Sequence, residues 1–351
     1  MTARIIAARR SAVVPRGGAF AGLRVEDMAA PVIAALLADA GMAPGAVEEV
    51  ICAESIGQGG NPARRIALAA GLPEGVAGLS IDRQCAGGLD AIALAAALVT
   101  AGRAQVVVAG GVESASRSPF AQGAGRGFLQ APFTPWPGRD PDMAAAADRL
   151  GIPRAEQDAW AVDSHAKALL AASWPEIVPL AGQGRDAFAR ALTPALAARA
   201  PVLHGQITAA NAAVAADAAA FVLVVSPKVA QGRGLRIAGA ATVGARPEEP
   251  GLAAIPAMQA ALVEAGVQPG VLERAEVMEA YAAQAIACVR GTGLDPARVN
   301  LKGGALARGH PIGASGAILA VRLFHDLTDG PGLAGIAAAG GIGAALVLAP
   351  G

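Results

Sequence analysis

Two residues stand in settings suited to acyl chemistry. Cys85 lies in Ser80-Ile81-Asp82-Arg83-Gln84-Cys85-Ala86-Gly87-Gly88-Leu89-Asp90, where an apolar run ends and a helix-forming run begins. His310 lies in Gly309-His310-Pro311-Ile312-Gly313-Ala314-Ser315-Gly316, where Pro311 can start the following helix. A cysteine at a helix N-terminus meets free backbone N–H groups and the positive end of the helix dipole, which favour its thiolate. Such a cysteine can accept an acyl group. A neutral imidazole beside it can take the thiol proton, and its N–H can then polarise a thioester oxygen. A free cysteine is more commonly a buried structural residue. A lone histidine is more commonly a satisfied core or surface group, and His165 and His325 are read that way. Gly87 and Gly88 lack a Cβ, so another backbone can approach the start of the Cys85 helix closely.

The elements that would position this pair alternate. Residues 4–14 read as a strand, 25–40 as an amphipathic helix stopped by Gly41, and 47–53 as a second strand. Asn61 and Pro62 open a further helix as N-cap and first residue. A third strand, 76–81, leads into Cys85; the helix after it ends near Gly102, and 105–109 forms a strand ending at Gly110-Gly111. Strands alternating with helices imply a parallel or mixed sheet covered on both faces. From about Ser116 to Gly205 the chain makes a turn-rich excursion carrying Arg117, Arg126, Arg139, Arg154, Arg185 and Arg190. Arginines on loops over a site suit a phosphate-bearing ligand, although a solvated surface is the commoner role for each taken singly. The core pattern restarts at 221–225, with strands at 235–243 and 275–280 around a helix at 252–266, and closes with strands at 333–338 and 344–349.

A repeat links the two candidate residues. Cys85, a double glycine, a long helix, residues 106–109 and Gly110-Gly111 form one unit. Gly313 to Gly316, a long helix, residues 336–339 and Gly340-Gly341 form another. Two similar halves would face each other with a site between them.

Composition removes several other functions. Lys+Arg and Asp+Glu both number 28, which leaves no basic footprint for nucleic acid. The 3 cysteines, Cys52, Cys85 and Cys288, have neither the number nor the spacing of a disulfide framework or a zinc site. No metal-ligand cluster is visible. The start of the chain lacks a long apolar signal region. The uncharged stretch 330–351 is broken by Gly335, Gly340, Gly341 and Gly343, so two buried strands around a glycine turn suit it better than a membrane helix. A soluble cytoplasmic protein is expected. The Gly123, Gly125, Gly127 run has no strand leading into it and is a poor dinucleotide site.

Arg83-Gln84-Cys85-Ala86-Gly87-Gly88-Leu89 resembles the nucleophile segment of the thiolases, and residues 303–316 resemble their histidine segment closely. Residues 59–64, 110–114, 156–158 with 164–165, 204–212 and 279–284 agree in the same order, so the resemblance covers nearly the whole chain. It implies an α/β fold: an αβαβα sandwich of two similar halves with an inserted loop domain that binds coenzyme A. The corresponding division is 1–116 with 206–228 for the first half, 117–205 for the loop domain and 229–351 for the second half. It implies acyl transfer through a thioester on Cys85, with His310 as its partner. Backbone N–H groups of Cys85 and Ala339 would form one oxyanion hole. Met143, Arg190 and Gly239 fall at or near coenzyme A positions. Coenzyme A thioester is the implied substrate, with no permanently bound cofactor and no metal. A homodimer is implied, because the segment 120–141 is short where related proteins carry a tetramer-forming loop.

The departures from the family are as informative. The asparagine that holds an oxyanion-hole water is Met278 here, and the second cysteine, the base for the α-carbon, falls at Ala337. A motif glycine is Ala339, the histidine beside Met143 is Asp142, and a serine near coenzyme A is Gly239. Glu279, beside Met278, is the first carboxylate to consider in place of the missing base. Three functions compete: an acyl-CoA acyltransferase of the acetyl-CoA acetyltransferase or 3-ketoacyl-CoA thiolase type with impaired Claisen chemistry, an acyl-CoA-binding protein with little turnover, and a cysteine hydrolase unrelated to coenzyme A. The retained Cys85 and His310 favour the first.

Overall fold

Local signals set most of the element ends. The computed structural model describes residues 2–57, 59–118 and 132–351. Strands β1 (Arg4–Ser11) and β2 (Val14–Pro15) open the chain. Helix α1 (Val25–Ala40) follows; the Asp27 carboxylate accepts the Arg24 N–H at its start, and Gly41, at φ 63°, ends it. Strand β3 (Glu49–Ala53) leads to α2 (Pro62–Ala69), where the Asn61 side chain accepts the Arg64 N–H as expected of an N-cap. Then come β4 (Ala77–Ile81), α3 (Gly87–Thr100) and β5 (Val106–Ser114). The excursion holds α4 (Met143–Asp148), α5 (Arg154–Leu170), β6 (Ile177–Val178), α6 (Pro194–Ala198), β7 (Val202–His204) and β8 (Ile207–Thr208). Strand β9 (Ala216–Val225) returns to the core, followed by α7 (Pro227–Ala230). The second run is β10 (Leu235–Gly244), α8 (Ala254–Ala265), β11 (Arg274–Val277), α9 (Ala282–Thr292), α10 (Ala305–Arg308), α11 (Ile312–Asp326), β12 (Gly332–Ala338) and β13 (Ile342–Ala349).

The sheet repeats outward from its middle. Strand β1 meets β10 through only Arg4↔Arg236 and Ile5↔Leu235. On one side the order is β1-β9-β5-β3-β4, with two antiparallel pairings and then two parallel ones. On the other it is β10-β13-β12-β11, also two antiparallel pairings and then a parallel one. A lone parallel bridge, Ala275↔Val299, stands where β4 stands in the first half. Helices α3 and α11 lie together in a core shared with both sheet halves. Helices α1 and α2 cover the outer face of the first half, and α8 and α9 that of the second. The result is the αβαβα layering. Among the described residues no helix is long and apolar enough to cross a membrane.

Two expectations about boundaries change. Strand β5 does not end at Gly110-Gly111 but continues to Ser114. The reason is close packing: a Cβ on Gly110 would lie 2.0 Å from the Ala220 carbonyl oxygen, so this glycine serves contact, not a turn. Gly340 and Gly341, at φ 80° and 76°, do make the turn between β12 and β13. The strand expected over 275–280 ends at Val277, because Ala280 bonds the excursion's return segment through Ala213.

Candidate active site

Cys85 sits in a single 3-10 turn, Gln84–Ala86, that runs directly into α3 at Gly87. Gln84 holds φ 50°, an uncommon conformation for a residue with a Cβ, and its N–H is fixed by the Asp82 carboxylate at 2.8 Å. On the other side, Gly309 at φ 110° turns the chain into His310, whose N–H donates to the Val214 carbonyl at 2.7 Å.

Missing side chains let the two ends meet. A Cβ on Gly88 would lie 2.7 Å from the Ala317 nitrogen and 2.8 Å from the Gly313 oxygen. A Cβ on Gly316 would lie 2.6 Å from the Leu89 nitrogen. Helices α3 and α11 therefore touch backbone to backbone near their N-termini. Across that contact His310 Nε2 is 3.2 Å from Cys85 Sγ.

Ser315 decides the state of the imidazole. Its hydroxyl donates to the Pro311 carbonyl at 2.9 Å and lies 2.7 Å from His310 Nδ1. With its only proton committed, the Ser315 oxygen accepts, so Nδ1 carries the hydrogen and Nε2 presents a lone pair to the thiol. Burial pushes His310 down to about 4, with the Arg308 charge adding to the effect. Burial also pushes the Cys85 thiol up to about 12, against the backbone N–H groups of Cys85 and Ala339, which favour a thiolate. The resemblance places the oxyanion hole at those same two N–H groups.

The surroundings are rigid. Buried Glu113 accepts the backbone N–H groups of Ser55, Ile56 and Gly313 at 3.1, 3.3 and 2.9 Å, tying β5 to the start of α11. Burial pushes its carboxyl up to about 8 despite those donors. Glu279 corrects an expectation. It accepts from Trp160 Nε1, Ser164 Oγ, Asn300 Nδ2 and the Leu306 N–H at 2.8 to 3.2 Å, which aims it into α5 and α10 as the anchor of the loop before His310. A fully committed acceptor is not placed to take a proton from substrate. Met278 is buried in the same core cluster that Cys85 packs against, and Ala337 packs in the α8-side cluster.

The three expected coenzyme A residues have different surroundings. Met143 opens α4 and is half-buried, with Asp142 capping the helix by accepting the Ala144 and Ala145 N–H groups. Arg190 lies with its guanidinium 4.3 Å over the Phe188 ring, and its N–H donates to His165 Nδ1. Gly239 packs closely under α8: a Cβ there would sit 2.3 Å from the Ala261 oxygen. Other excursion arginines are also engaged, Arg139 with Glu248 and Arg154 with Asp158, so they are not a free phosphate-binding set. Arg126 lies outside the described residues. Among the described residues no group of His, Cys, Asp and Glu can hold a metal.

Sequence reasoning missed two site residues. Ser315 was visible in the histidine segment, five residues from His310, a spacing that a helix start can bring together. Tyr281 carried a signal in being the chain's only tyrosine (Tyr 1), within the matching segment 279–284.

Comparisons with known proteins identify the family. The model of the thiolase N-terminal domain matches residues 3–131 and 142–228, and that of the thiolase C-terminal domain matches residues 233–350. An acetyl-CoA acetyltransferase of Pseudomonas aeruginosa is 38% identical, covering 98% of this chain and 98% of that protein. The crystal structure of the Bacillus anthracis acetyl-CoA acetyltransferase has a TM-score of 0.89 and 32% identity, covering 99% of this chain and 98% of the other. That of human mitochondrial 3-ketoacyl-CoA thiolase in complex with CoA has a TM-score of 0.90 and 26% identity, covering 100% and 98%.

Proposed function

Because this chain belongs to the thiolase family, and is thus a thiolase-type acyltransferase, we propose that it moves acyl groups between coenzyme A and Cys85. One observation carries the reading: His310 Nε2 faces Cys85 Sγ at 3.2 Å while Ser315 holds the opposite nitrogen. In the forward step the thiol proton passes to Nε2 as sulfur attacks the thioester carbon. The backbone N–H groups of Cys85 and Ala339 face the developing oxyanion. The C–S bond to coenzyme A then breaks, and the proton on Nε2 goes to the departing sulfur. Acyl-CoA plus Cys85 thiol becomes acyl-Cys85 plus CoA thiol, and no group outside the pair is consumed.

Claisen condensation needs more. A second acyl-CoA must lose an α-proton, and neither the Ala337 methyl nor the Met278 thioether can take it. The commitments of Glu279 remove the carboxylate beside Met278 from that role. Acylation of Cys85 is therefore proposed to outpace acetyl-CoA condensation by a wide margin, since losing a placed base costs roughly 10²–10⁴ in rate. Mass spectrometry of the Cys85 peptide after acetyl-CoA treatment is expected to show an acetyl mass, absent in Cys85→Ala. Acetoacetyl-CoA thiolysis measured beside it is expected to be much slower. Absence of an adduct with short and long acyl donors overturns acyl transfer; robust thiolysis overturns the impairment.

The domain division read from the sequence is retained in this proposal, and coenzyme A thioester is the substrate with no resident cofactor. Three unpaired cysteines fit a reducing cytoplasm. A homodimer is supported by β4, an edge strand of the sheet whose Leu79 is 38% exposed. Light scattering is expected to report two chains per particle, and a stable tetramer counts against it.

A further inference from the structure

The acyl-transfer scheme leaves the hydroxyl of Tyr281 without work. Tyr281 stands at the N-cap of α9, and its backbone bridges Ala212. The same short strap continues to Ala213, whose N–H donates to the Ala280 carbonyl at 2.9 Å, and to Ala215, which bridges His310. Four residues thus carry Tyr281 at one end and the imidazole at the other, and both Ala213 and Ala280 pack against the cluster that Cys85 joins. Tyr281 packs against the buried cluster of Ala147, Ile207, Ala212 and Ala283, in which Ala147 belongs to α4. Its hydroxyl makes no hydrogen bond to a described residue and is not sealed inside the protein.

We propose that Tyr281 is a substrate-contacting residue of this chain, whose hydroxyl donates a hydrogen bond to a carbonyl oxygen on the acyl-bearing arm of the bound thioester between Cys85 and α4. A phenol whose ring is packed but whose hydroxyl has no partner among the described residues has a donor to offer, and a thioester arm brings carbonyl acceptors. Burial, then the Asp142 charge, holds the phenol above its usual range, so it keeps its proton at neutral pH and can donate. This donor would partly replace the oxyanion-side hydrogen bond that Met278 cannot make. The proposal rests on acyl transfer through Cys85.

The chain's single tyrosine makes the test selective. Protein made with 3-fluorotyrosine gives one fluorine resonance, which is expected to move when acetyl-CoA binds or acylates the protein. Tyr281→Phe keeps the ring and is expected to slow single-turnover acylation of Cys85 about 10-fold, the worth of one neutral hydrogen bond at the upper end of its range. Alkylation of Cys85 by iodoacetamide, which brings no thioester, is expected to be unchanged. Slowing with both acetyl-CoA and S-phenyl thioacetate places the bond on the thioester carbonyl; slowing with acetyl-CoA alone places it on an amide carbonyl of the arm. An unmoved resonance together with wild-type acylation of Tyr281→Phe overturns the proposal while acyl transfer stands. Failure of the wild type to acylate overturns acyl transfer itself.

Discussion

The proton between Cys85 and His310 rests on sulfur, and this fixes how the site must respond to pH. Burial holds the thiol at about 12 and the imidazole at about 4, about eight pH units apart in the unfavourable direction. At 1.36 kcal/mol per unit, transfer of the proton starts ~11 kcal/mol uphill. Attraction between the new charges at 3.2 Å returns about 5 kcal/mol at an effective dielectric constant near 20. The remaining ~6 kcal/mol leaves on the order of one pair in 10⁴ ionised. Thiolate absorbance at 240 nm, wild type minus Cys85→Ala, is therefore expected to stay flat from pH 6 to 9. Cys52 and Cys288 add nothing in that range, because burial pushes both thiols up as well. Acylation is expected to show a solvent isotope effect, since the proton leaves sulfur in the step that forms the thioester. It is also expected to fall as pH drops through about 4, where Nε2 becomes protonated and can no longer accept. His310→Ala is expected to slow acylation roughly 10²–10⁴-fold. A 240 nm step with a midpoint below pH 8 that vanishes in Cys85→Ala refutes the neutral pair.

Two further outcomes follow from packing. Gly88→Ala forces its Cβ against the Ala317 nitrogen and Gly313 oxygen; it is expected to cost about 1–3 kcal/mol in urea unfolding and to slow acylation up to ~10²-fold by parting the pair. Wild-type values for both would show that α3 and α11 are not held at backbone contact. Glu279→Gln is expected to weaken the four-donor anchor and lower unfolding stability by about 1–3 kcal/mol while Cys85 in the folded protein still acylates. Loss of acylation in a folded, stable Glu279→Gln protein would return the carboxylate to a role at substrate.

Helix ends, strand order of appearance and the chemical pair were legible along the chain, because each is written in near neighbours. Gly41 stops α1 through its own backbone conformation, and Asn61 caps α2 through a residue three positions on. Cys85 and His310 announced themselves through the glycines and proline beside them, and the repeat of glycine, helix and strand foretold two facing halves. The direction and commitment of side chains were not legible, since their partners are remote in sequence. Glu279 looked available until Trp160 and Ser164, over a hundred residues earlier, claimed its oxygens. Gly110-Gly111 looked like the end of a strand until β9 and α11 were laid against it. Gly239 gave no sign along the chain that α8 packs directly over it. Local sequence sets the backbone's torsions and ends; packing decides what each side chain finally touches, because burial drives most polar atoms to whichever partner the fold brings near.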